Sequence, residues 1–185
     1  SDAQSRAWRQ VTDAVHARGG RIFLQLWHAG RATHPALLPA GVAPAAPSAV
    51  APAGTIATPQ GRQPFVVPRA LEVEEIRVIV GQFAQAARRA LDAGFDGVEL
   101  HAAQGYLIDQ FLRDGANRRT DAYGGTVERR ARFLLEVTQA TCGVWGEGRV
   151  GVQLSPTSPL NDMVDSDPSA TFGHAAEALS RFGLA

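Results

Sequence analysis

The 185-residue chain has no lysine, a single cysteine (Cys142), a single methionine and a formal net charge of zero. Without lysine, this chain cannot form a Schiff base with pyridoxal phosphate or a carbonyl substrate. One cysteine excludes an intramolecular disulfide and a zinc or iron–sulfur site built from thiolates. Zero net charge gives no field to draw the protein to nucleic acid or to an anionic membrane, so a small-molecule partner is expected. No apolar run approaches the roughly 20 residues a membrane-spanning helix needs. The opening SDAQSRAWRQ also lacks the charged-then-apolar layout of a signal peptide, and a cytoplasmic protein is expected.

Familiar catalytic motifs are missing too. No Gly-x-Ser-x-Gly nucleophile elbow occurs. The stretch GVWGEG has too few suitably placed glycines for a dinucleotide turn, precedes a strand instead of following one, and lacks the phosphate-loop lysine. His28 and His34 have no metal-ligand pattern and are expected in a surface loop, and no metal site is expected.

What is present is an ordinary globular composition, 45% apolar and 19% charged, enough for one domain over residues 1 to 185. Trp8, Val11 and Val15 at helical spacing predict a helix up to about residue 18, stopped by Gly19-Gly20. RIFLQL (21 to 26) follows as a buried strand. From His28 to Pro68 the chain is rich in Pro, Gly and Ala; the excursion, bounded at 28 to 71, is expected to lid or line a site, with room for a small hairpin. A mobile surface linker is the alternative.

Regular structure resumes with a helix whose inner face is Ile76, Ile79, Val80, Phe83, Ala87 and Leu91, closed by Gly94. FDGVELH (95 to 101) is the second strand, and a loop containing NRRTDAYGG leads to Thr126. That residue caps a helix with Val127, Ala131, Leu134 and Val137 inside. RVGVQL (149 to 154) is the third strand. Asp167-Pro168 opens a last helix with Phe172, Ala176 and Leu179 inside, ended by Gly183. Four helices alternating with three strands predict an α/β fold with parallel strands and right-handed crossovers. An open doubly wound sheet and part of a (β/α)8 barrel both fit, and in either the function belongs at the strand C-termini.

Each strand finishes in polar groups able to hold a ring or a carbonyl: LQLWHAGR (24 to 31), ELHAAQGY (99 to 106) and QLSP (153 to 156). Singly, Gln25, Trp27, His101 and Tyr106 could each be structural. Together they mark a site.

These stretches, with DQFLRDGANRRTDAYGG, ERRARFLLEV and RVGVQLSP in the same order, resemble the Old Yellow Enzyme family of FMN-dependent ene-reductases. The resemblance runs over about residues 8 to 183. It implies a TIM (β/α)8 barrel of which this chain is an incomplete segment, the third to fifth strands. It also implies FMN at the strand ends, reduction by NAD(P)H, and transfer of hydride from flavin N5 to an activated alkene such as an enone or nitroalkene.

By this resemblance Gln25 hydrogen-bonds the flavin pyrimidine edge, Trp27 shapes the active-site wall, His101 and Gln104 grip the substrate oxygen, and Tyr106 gives the proton. Two positions depart from the family pattern: Gln104 stands where Asn or His is usual, and Gln153 replaces an arginine beside the flavin, which should lower the reduction potential. Arg129 also stands where Asn is usual. Two readings follow: an FMN-dependent alkene reductase, or a non-catalytic barrel fragment that does not bind FMN by itself. A non-flavin TIM-barrel enzyme is a third. An isolated three-stranded arc leaves two open sheet edges, so association with a second copy or a complementary barrel fragment is expected.

Overall fold

A computed structural model describes residues 2 to 185. Helix α1 (Asp2–His16) leads through a turn into strand β1 (Phe23–Leu26). Within the excursion, β2 (Ala45–Ala46), the hairpin strands β3 (Thr55–Thr58) and β4 (Gly61–Pro64), and β5 (Arg69–Ala70) precede helix α2 (Val73–Asp92). Then come β6 (Gly97–Ala102), α3 (Leu107–Leu112), α4 (Val127–Trp145), β7 (Val150–Leu154) and α5 (Pro168–Leu179).

The main sheet has the order β1-β6-β7, and both pairings are parallel. Alternation along these strands divides the side chains between two faces. Leu24, Leu26, Val98, Leu100, Ala102, Val150, Val152 and Leu154 join the apolar core, together with residues of α2, α4 and α5. The other face carries Phe23, Gln25, Glu99, His101 and Gln153, with Gln25 opposite Glu99 and His101 opposite Gln153 in register. Phe23 is 43% exposed, so this second face lies open.

Local chemistry sets most helix ends. Thr126 accepts a hydrogen bond from the Arg129 backbone N–H, and Asp167 accepts one from Ala170 ahead of Pro168, as their residue types predict. At the start of α2 the Glu75 carboxylate accepts the Glu72 N–H at 2.9 Å and pairs with Arg69 at 2.7 Å.

Three predicted faces need correction. Trp8 and Val11 are 42% and 41% exposed, and the buried residue of α1 is Thr12, whose hydroxyl donates to the Ala93 carbonyl at 2.7 Å. The apolar stripe of α1 meets little beyond Phe95, against which the Trp8 ring packs at 5.5 Å. On α2 the expected Ile76, Ile79, Phe83 and Ala87 are buried, and at the end of the face Ala90 is buried while Leu91 is exposed. On α5, Ala175 is buried and Ala176 exposed. In addition, α3 falls where only loop was expected, and all six of its residues are buried.

The excursion contains two small two-stranded sheets. β2 pairs in parallel with β5, closing the excursion at its base, and β3 and β4 form the hairpin. Arg31, 1% exposed, donates to the carbonyls of Val50, Asn161 and Asp162. Arg119 donates to the carbonyls of Pro47 and Leu71, and the Ser48 hydroxyl accepts the Arg118 N–H. The bonds to Asn161, Asp162, Arg118 and Arg119 join the excursion to the loops that follow β6 and β7.

Candidate functional site

The C-terminal ends of β1, β6 and β7 converge. Gln25 reaches from β1 across β6, its amide donating to Glu99 at 2.5 Å and to the Gln153 side-chain oxygen at 3.1 Å. These three residues form one hydrogen-bonded strip over the open face. Gln25 is its hub, and Glu99, on the middle strand and not singled out as a site residue, brings its one carboxylate.

One step further along β6, His101 is 6% exposed, and its buried Nδ1 has no hydrogen-bond partner. Burial holds its imidazolium pKa below 6.5, against the opposing pull of the Glu99 charge. The ring lies 4.9 Å from that of Tyr106, and Trp27 meets Tyr106 edge-on at 4.6 Å. Trp27 itself is 54% exposed.

The two tyrosines contrast. Tyr123 is buried and donates to Glu136 at 2.8 Å; burial, helped by that carboxylate, pushes its phenol up to about 12. No hydrogen bond engages the Tyr106 hydroxyl among the described residues, nor the side-chain amide of Gln104. Thus the structure gathers His101, Tyr106 and Trp27 in one aromatic cluster, with Gln104 in the adjoining turn and the Gln25–Gln153 strip beside it.

The turn that presents Gln104 is unusual. Gln104 has φ of +56°, a left-handed conformation that costs a residue with a Cβ roughly 1 to 2 kcal/mol. Asn tolerates this region better because its shorter side chain bonds locally. Gly105 follows at φ +77°, where a Cβ would meet Asn161, Leu160 and Met163 within 2.8 Å.

Beyond the strip, the histidines of the excursion have structural partners. His28 is largely buried, which lowers its pKa, and its Nδ1 accepts the Gly30 N–H at 3.0 Å. His34 caps a short 3-10 turn, its Nδ1 accepting the Ala36 N–H. A cavity of about 640 Å³ lies behind Trp27, between the excursion and α2, lined by Leu38, Val42, Leu71 and Ile79 among others. It includes none of His101, Gln104 or Tyr106.

Sequence inspection also passed over Asp109, Gln110 and Arg113 of YLIDQFLRD, all 2% exposed or less. Polar side chains inside an apolar run were the available signal, because such groups are buried only when hydrogen-bonded.

Comparison with known proteins shows the family. The profile of the NADH:flavin oxidoreductase / NADH oxidase family matches residues 1 to 183. A probable flavin mononucleotide-dependent alkene reductase of Leishmania infantum is 51% identical over 178 residues, covering 94% of this chain and 49% of the relative. A putative 12-oxophytodienoate reductase 11 of Oryza sativa is 44% identical over 98% of this chain and 50% of the relative. Among solved structures, the old yellow enzyme homologue from Zymomonas mobilis superposes with a TM-score of 0.96 at 47% identity, over all of this chain and 52% of that one. Morphinone reductase superposes with a TM-score of 0.95 at 48% identity, again over the whole chain and 51% of that one. The chain therefore spans about half the length of the curated relatives it matches, as an incomplete α/β segment of their barrel. With its parallel strands in barrel order and the family profile covering nearly every residue, the chain belongs to the NADH:flavin oxidoreductase / NADH oxidase family, the Old Yellow Enzymes.

Proposed function

We propose that this chain supplies the substrate side of an FMN-dependent reductase that reduces activated alkenes, enones or nitroalkenes, with NAD(P)H as the electron source. The observation that carries this reading is the cluster of unengaged polar groups at the strand ends. Among the described residues, His101 Nδ1, the Gln104 side-chain amide and the Tyr106 hydroxyl have no hydrogen-bond partner, while the neighbouring Asp109, Gln110 and Arg113 are tied. Reductase relatives of the same barrel segment add support.

The open face fits the ring system of FMN. Gln25 and Gln153 offer amides that both donate and accept, as a pyrimidine edge requires, and Trp27 bounds them. None of the strand residues on this face is cationic, so the cofactor phosphate would be held outside it. When bound and reduced by NAD(P)H, FMN would supply the hydride for the alkene β-carbon and return to its oxidised form.

This chain's residues do the rest. A neutral imidazole at His101, favoured by burial, and the Gln104 amide direct donors at one substrate oxygen, drawing electron density from the alkene and stabilising the enolate-like charge. The Tyr106 hydroxyl passes its proton to the α-carbon. Trp27 and His101, both in ring contact with Tyr106, restrict the swing of its ring.

A second reading, a partial barrel that binds no FMN without a complementary fragment, is favoured by the open edges of β1 and β7. FMN titration of the 185-residue chain by itself tests the second reading, and titration of the full-length protein carrying this segment tests the first. Saturable binding with cyclohexenone reduction supports the reductase. In the same protein Tyr106→Phe should slow alkene reduction about 100-fold or more, the scale of general-acid catalysis, and leave flavin reduction by NAD(P)H unchanged. No binding at full length sinks the reading.

A further inference from the structure

Four side-chain and backbone links close a ring around the turn that carries Gln104. The Gln104 N–H donates to the Ser155 hydroxyl at 2.7 Å, and Arg113 donates to the Ser155 carbonyl. Arg113 Nε also donates to Asp109 Oδ1 at 2.9 Å, and Asp109 Oδ2 accepts the Gly105 N–H at 2.9 Å. The ring thus returns to the residue after Gln104. The Asn161 amide grips the same turn from outside, donating to the Gln104 carbonyl at 2.8 Å.

We propose that Ser155 is a positioning residue for the oxygen-binding turn: from the end of β7 it holds Gln104 in its left-handed conformation and so aims the donors of β6. This rests on the reading of function above. A left-handed Gln relaxes toward extended or right-handed backbone unless its neighbours fix it. Here the N–H on one side of residue 104 and the carbonyl on the other are both held by the loop that follows β7. Asp109 and Arg113 form the buried anchor of the ring, 0% and 3% exposed at their side chains. Arg113 meets Asp109 at 2.9 Å, and its charge opposes the burial that drives the Asp109 carboxyl upward. Ser155 is half-buried and uncharged, which makes it the member whose removal spares the fold.

The test compares Ser155→Ala with Ser155→Thr in the full-length protein. Amide hydrogen exchange reads the ring without any reaction, and kcat against KM for enone reduction reads its consequence. Ser155→Ala should speed exchange of the Gln104 amide and lower kcat, each by up to about tenfold, the scale of one neutral hydrogen bond, while KM changes less. Ser155→Thr, which keeps the hydroxyl, should restore both. Unchanged exchange in Ser155→Ala overturns the ring as the support of the turn, and faster exchange with unchanged kcat overturns the positioning role. Absence of FMN binding overturns the function reading and the kinetic half of this proposal, and exchange alone then decides whether Ser155 holds the turn.

Discussion

Gln25 and Gln153 stand on the two outer strands of the sheet, yet their side-chain amides meet at 3.1 Å above Glu99 of the middle strand. The Gln25 amide is shared between the Glu99 carboxylate and the Gln153 amide, and Glu99 is the charged member among the described strand residues of this face. A negative charge without a cation opposes the addition of electrons to any ring lying over it.

Gln153→Arg should therefore raise the midpoint potential of bound FMN by placing a guanidinium beside Glu99. If the pair favours the two-electron reduced form by about 1.4 kcal/mol, the shift is about 30 mV. Potentiometric titration of the full-length variant measures it. A potential equal to or below that of the unchanged protein would dismiss the Glu99 charge as a determinant.

A pH effect follows from His28 and His101. Burial lowers both pKa values from 6.5, so between the folded and unfolded values the unfolded chain binds more protons. Stability then rises with pH through that window and falls as pH drops below about 6.5. Carboxylates such as Asp96, held down by His16 and the Ile22 N–H, add their own loss only at lower pH, below their ordinary value of 3.8. Thermal melts from pH 7.5 to 5.0 should show a decline that His28→Asn reduces. A flat profile across that range would mean that the two imidazoles are free to protonate in the folded protein.

The sequence revealed those features that local chemistry decides. Thr126 and Asp167-Pro168 mark helix starts because a cap needs only its own next turn. The strand ends at Gln25, His101 and Gln153 were legible because polar residues interrupt apolar runs there. α3 was hidden for the opposite reason: Leu107 to Leu112 is buried on every side and so shows no helical period. Trp8 and Val11 have the period of an inner face, but periodicity does not say what covers a face, and both are exposed. The Gln104–Ser155 link joins residues 51 positions apart, a separation no local pattern records.

Gly30 offers a stability test of how the strand ends are joined. Its φ is +60°, and a Cβ there would lie 2.2 Å from Gln110 Oε1 and 2.6 Å from Gln110 Cδ. Gln110 cannot retreat cheaply, since it is fully buried and its amide donates to the carbonyls of Ala29 and Gly105 while its oxygen accepts the Arg31 N–H. Gly30→Ala combines overpacking with a left-handed Ala and should cost about 3 kcal/mol or more. Gly143→Ala is the control: it lies inside α4, outside the left-handed region, with nothing within 4 Å of the added Cβ. That change should stabilise by roughly 0.5 to 1 kcal/mol through helix propensity. Urea midpoints for the two variants should move in opposite directions. Equal midpoints for Gly30→Ala and the unchanged protein would mean that Gln110 does not lock the exit of β1 to the turn of β6.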